Sequence, residues 1–82
     1  MIRVLLVHAG LIPHYRIPPY GLLSQYLKLY GFELTVASDG IEAGAKDSIE
    51  FPFAPMHLSA MKIARFIYRQ KIDVIIGHMG LK

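Results

Sequence analysis

Ile2-Arg3-Val4-Leu5-Leu6-Val7-His8-Ala9-Gly10-Leu11-Ile12-Pro13-His14-Tyr15-Arg16-Ile17-Pro18-Pro19 decides the fold of this chain. A continuous apolar strand runs into a glycine turn. A polar loop carrying aromatic and basic residues then leads to a helix opened by proline. A strand apolar on both faces belongs in a buried parallel sheet, covered by helices on each side. The turn after such a strand lies at the carboxyl edge, where open α/β sheets bind ligands. Any ligand site is therefore expected to begin within this opening stretch.

Outward from it, the helix starts at Pro18 or Pro19, since proline is tolerated in a first turn. Leu23, Tyr26, Leu27 and Tyr30 recur at i, i+3, i+4 and i+7 and predict its apolar stripe, with Gly31 as the stop. Phe32 to Ser38 reads as a second strand and Asp39 to Asp47 as a loop. Ile49 to Phe53 reads as a short strand, and Pro52, which cannot donate to a ladder, sends it to a sheet edge. A second helix falls within Met56 to Gln70, with Ala60, Ile63, Ala64, Ile67 and Tyr68 as its buried stripe. Lys62, Arg65 and Arg69 form the opposing basic stripe. Ile72 to Gly77 is a last strand, again apolar on both faces.

The order β-α-β-β-α-β with right-handed crossovers predicts a parallel sheet ordered 3-2-1-4, with one helix on each face. The first and last strands become neighbours at a switch point, with His8 and His78 at its carboxyl edge. The last strand then lies on an open edge despite its apolar faces, and such an edge invites pairing. The expectation is that this chain is part of a larger fold, with Met79 to Lys82 opening its next helix, or that it self-associates.

Eighty-two residues make one small domain, and a chain this short buries only about 60% of its unfolded surface. Hydrophobic residues make up 54% and charged residues 18%, so a core is easily filled and little polar surface is left to cover it. A net charge of +3 without a run of lysine or arginine, and without a nucleic-acid motif, argues against a nucleic-acid partner. The absence of cysteine excludes disulfide and thiolate chemistry. The longest apolar runs fall far below the roughly 20 residues that span a bilayer. His8 and Pro13 interrupt any signal-peptide pattern, so a cytoplasmic location is expected.

Three stretches carry a family resemblance: Gly10 to Pro18 after the first strand, Tyr30 to Val36 leading into the second, and Lys71 to His78 near the end. They are spread along most of the chain in the family's order, and it resembles the N-terminal domain of family-4 glycosyltransferases, which have the two-domain GT-B fold. The resemblance implies a partial Rossmann-like, three-layer αβα domain over residues 1–82, the acceptor-side half of such an enzyme. It implies transfer of a sugar from a nucleotide-sugar donor to a glycan or lipid acceptor. In that family the C-terminal domain holds the nucleotide and the glutamate pair. An isolated chain of this length is therefore expected to be inactive, and no catalytic residue is assigned to it.

The substrate-binding candidates are Gly10, His14, Arg16 and His78. Glycine lets backbone N–H groups approach a diphosphate beside a helix N-terminus, or simply permits a tight turn. Arg16 offers a planar donor fork, His14 and Tyr15 share its loop, and all three could equally face solvent. His78 is favoured over His8 as a cleft-side hydrogen-bonding group, against the plainer role of closing a strand. Asp39 could meet a ribose, but an Asp-Gly pair is more often a turn. No metal site and no cofactor are assigned, because no cysteine or tight ligand spacing supports one. The basic stripe could rest on anionic lipid at the inner membrane face, or be an ordinary solvated surface.

The alternative is a non-catalytic, oligomeric α/β binding or interaction module. An open reading frame continuing past Lys82 into a second Rossmann-like domain would separate the two. A receiver-type phosphoacceptor domain fits poorly, since His8 stands where an acidic cluster would end the first strand.

Overall fold

The computed structural model describes residues 1–44, 49–56 and 59–78, with the Ala60 and His78 side chains outside that description. It is an α/β unit with a four-stranded parallel sheet and two helices. The elements in chain order are β1 (Ile2–His8), β2 (Leu11–Ile12), a 3-10 turn (His14–Arg16) and α1 (Ile17–Leu29). There follow β3 (Phe32–Ser38), β4 (Gly40–Ile41), β5 (Phe53–Pro55), α2 (Ala60–Gln70) and β6 (Val74–His78). The main sheet runs β5-β3-β1-β6, and β2 pairs with β4 in a separate parallel ribbon. Val4 of β1 lies opposite Leu34 of β3 and Val74 of β6, which sets the register.

Alternation along the strands divides the core in two. Val4, Leu6, Leu34 and Val36 pack with Ile17 and Tyr20 of α1. Leu5, Val7 and Ala37 face the other way and pack with Ile63, Phe66 and Ile67 of α2. Ile12 and Ile41 bring the β2–β4 ribbon into the α1-side cluster. Among the described residues, no helix is long and apolar enough to cross a membrane.

Three expectations need correction. The strand predicted at Ile49 to Phe53 begins only at Phe53. Pro52 has no N–H, yet its carbonyl accepts from the Val36 amide at 2.9 Å, so the ladder with β3 opens one residue later. Phe51 is spent on the core instead, edge-on to Tyr20 with ring centroids 6.0 Å apart. β5 does lie at a sheet edge.

In α1 the buried residues are Ile17, Tyr20 and Gly21, with Leu23 and Leu27 half-buried behind them. Tyr26 and Tyr30 are exposed and pair with each other. At 3.6 residues per turn, each step of three slips back about 60°, so Tyr26 and Tyr30 fall off the trailing side of the stripe. In α2, Phe66 joins Ile63 and Ile67 on the sheet, while Ala64 and Tyr68 are exposed.

α2 runs Ala60–Gln70, within the predicted span. Ser59 is extended and its side chain accepts from the Lys62 amide at 3.3 Å, a cap that sets the first turn. The Met79 to Lys82 expectation lies outside the described residues.

The far end of α2 is fastened to β1. Lys71 takes a left-handed conformation, φ 53°, and closes the helix. The Arg3 amide donates to Asp73 Oδ2 at 2.9 Å, and the Arg3 guanidinium donates to the Gln70 carbonyl at 2.8 Å. This sets β6 beside β1. Among the described residues no strand pairs with β6 on its other side, and Val74, Ile75 and Ile76 are 41–51% exposed.

Candidate functional site at the carboxyl edge

The chain grows its sheet from β1 through β3 to β5, then returns to place β6 on the opposite side of β1. The carboxyl ends of β1 and β6 flank this reversal, and His8 is the register partner of His78. The backbone of His78 is thus at the predicted edge, and its side chain lies outside the described residues. His8 is buried, and its Nδ1 shares a 2.8 Å hydrogen bond with the Tyr20 hydroxyl, ring edge against ring face. Burial pushes the Tyr20 phenol above its ordinary pKa, with the Arg16 charge opposing the shift. His8 therefore anchors the start of α1 to the end of β1.

Gly10 ends the β1 turn with φ +81°, exposed, and no atom within 4 Å of where a Cβ would stand. Its glycine identity is thus required by the backbone, not by crowding. Arg16 is the N-cap residue of α1 and half-buried, with its guanidinium 5.8 Å from the centre of the exposed Tyr15 ring. Gly10, His14 and Arg16 share one connection between β1 and α1.

His14 is engaged across that connection. Its amide donates to Glu42 Oε1 at 3.3 Å, and its ring Nδ1 meets the same oxygen. These bonds hold the Glu42 carboxyl below its ordinary pKa. They also tie the loop after β1 to the chain after β4, reinforcing the β2–β4 ribbon. Beside the ribbon lies an open apolar groove of about 520 Å3, lined by Leu11, Ile41, Ile49, Phe53 and Pro55, with Asp39 also on its wall. Ser38 turns the chain there, donating to the Gly40 carbonyl at 2.7 Å and accepting from the Gly40 amide at 3.1 Å. Among the described residues no cluster of metal-ligating side chains occurs.

Sequence reasoning missed Tyr20, Glu42 and the ribbon itself. Tyr20 follows Ile17 by three residues and so shares its buried face, a signal that was present. The Glu42 contact joins residues 28 apart and has no local signal. No protein-family model, curated protein or solved structure matches this chain.

Proposed function

We propose that this chain is the acceptor-side, Rossmann-like half of a GT-B glycosyltransferase, which transfers a sugar from a nucleotide-sugar donor to a glycan or lipid acceptor. The observation that carries the reading is Gly10: left-handed, exposed and surrounded by open space at the carboxyl end of a buried parallel strand. A phosphate can approach such a backbone closely, with the N-terminal end of α1 and the Arg16 guanidinium on the same connection. His14 and the apolar groove beside Asp39 suit the acceptor side. The uncovered apolar strand β6 suits a sheet that continues in a longer protein.

The test separates turn geometry from ligand contact in the full-length enzyme. Asparagine tolerates the left-handed conformation, so Gly10→Asn keeps the turn while adding a side chain at the open face. Gly10→Asn is expected to lower sugar transfer while leaving the thermal midpoint nearly unchanged. Arg16→Ala, which removes a charged donor, is expected to lower transfer about tenfold or more. Full activity in both variants would make the connection a turn and nothing else.

One observation favours a second reading, a non-catalytic oligomeric α/β module. The exposed edge of β6 can be completed by a second copy as well as by more of the same sheet.

A further inference from the structure

The outer face of α2 is basic. Lys62, Arg65 and Arg69 recur at i, i+3 and i+7, so they stand along one side of the helix. All three are exposed, and none forms a salt bridge among the described residues. No acidic residue occurs anywhere in Ala60–Gln70. Asp73, just beyond the helix, is engaged by the Arg3 amide. The three cations border a shallow groove of about 200 Å3, lined also by Met56, Phe66 and Gln70. Met61 and Tyr68 project among them at 75% and 86% exposure. Met61, Arg65 and Tyr68 are spaced i, i+4 and i+7, so the apolar tips and the charges share a face.

We propose that this face of α2 docks on an anionic lipid surface. Uncompensated cations on one helical face complement a sheet of negative headgroups, each contributing on the order of a fivefold gain in partitioning. Tyrosine is suited to the headgroup level, where one end of the ring is apolar and the other wet. Methionine supplies a flexible apolar tip. The apolar side of α2 is already committed to Leu5, Val7 and Ala37, so the helix lies on the membrane without inserting that side. α1, with the Gly10 connection, packs on the other sheet face, and docking is read without any transfer assay.

The experiment is co-sedimentation of the purified protein with vesicles of phosphatidylcholine alone and with about one third phosphatidylglycerol. Binding is expected only to the anionic vesicles and is expected to fall steeply as salt rises, because exposed charges are screened. Lys62→Ala, Arg65→Ala and Arg69→Ala are each expected to weaken partitioning about fivefold, and the triple variant to abolish it. Tyr68→Ser is expected to weaken it at all salt concentrations. Circular dichroism checks that these exposed substitutions leave the fold intact. Equal binding to both vesicle types, or undiminished binding by the folded triple variant, would overturn the proposal. So would displacement by inorganic phosphate at matched ionic strength, which would mark a pocket for a single anion. Tighter binding to a short DNA duplex than to the anionic vesicles would overturn it in favour of a nucleic-acid surface.

Discussion

β1 and β6 carry the same kind of sequence and meet opposite surroundings. Both are runs of branched apolar residues that end in histidine, and they lie side by side in register. In β1, Val4, Leu5, Leu6 and Val7 are at most 5% exposed, between α1 on one face and α2 on the other, with a strand on each side. In β6, Val74, Ile75 and Ile76 keep 41–51% of their surface. An apolar run states what a strand can bury. How much it does bury depends on how many neighbours the topology supplies. β1 is central because the chain built to one side and then to the other, and β6 is the last strand placed.

The largest effect should come from testing that contrast directly. Leu5 is fully buried against the α2 side of the core, so Leu5→Ala should cost about 2–5 kcal/mol. Ile75 is half exposed, and Ile75→Ala should cost less than about 1 kcal/mol, because much of the side chain is already in water. Urea denaturation followed by circular dichroism measures both. Domains this small have stabilities of only about 5 kcal/mol, so Leu5→Ala should leave little cooperative transition. Similar losses at the two positions would mean that β6 is covered in solution by something that hides Ile75.

The same contrast predicts association. An unpaired edge with exposed apolar side chains is a template for another strand, and a lysine on it blocks such pairing. Sedimentation should show the wild-type mass rising with concentration and the Ile75→Lys variant remaining a monomer. A wild-type chain that stays monomeric, dilute or concentrated, and melts at high temperature would break the argument from β6.

The parallel sheet and both helices were legible because each rests on local signals. Strand-length apolar runs, the Pro18-Pro19 opening, Gly31 as the stop of α1 and the Ile63–Ile67 spacing of α2 can all be read within a few residues. What misled was also local. Tyr26 and Tyr30 fit a helical spacing, but so do Ile17, Tyr20 and Leu27, and spacing alone does not say which of two overlapping stripes faces the sheet. At the site, Gly10 and Arg16 stand on the β1–α1 connection as expected. The β2–β4 ribbon was hidden because two-residue strands have no periodicity to detect. The Glu42 partner of His14 was hidden because the contact joins two loops that are distant in sequence and meet only through the fold.

That partner gives the smallest of the expected effects, and it sharpens the comparison at the carboxyl end of β1. The chain leaving β1 is held by His14 and Glu42, and the carboxyl pKa is lowered by those bonds. A group whose pKa is lower folded than unfolded stabilises the fold above its unfolded value and loses that contribution as pH falls through the folded one. The contribution should therefore be complete at neutral pH and disappear on acidification below the ordinary carboxylate range. Glu42→Gln keeps the shape and removes the ionisation. Its thermal midpoint should lie slightly below wild type at pH 7, because both groups are exposed and screened. The two curves should converge as pH falls below about 4. Amide hydrogen exchange localises the effect: the Glu42 amide, which donates to the Ile12 carbonyl at 2.9 Å, should exchange faster in the variant at pH 7, while amides in the centre of β1 should not change. A midpoint difference that persists unchanged into acid would show that Glu42 acts there through shape and not through charge.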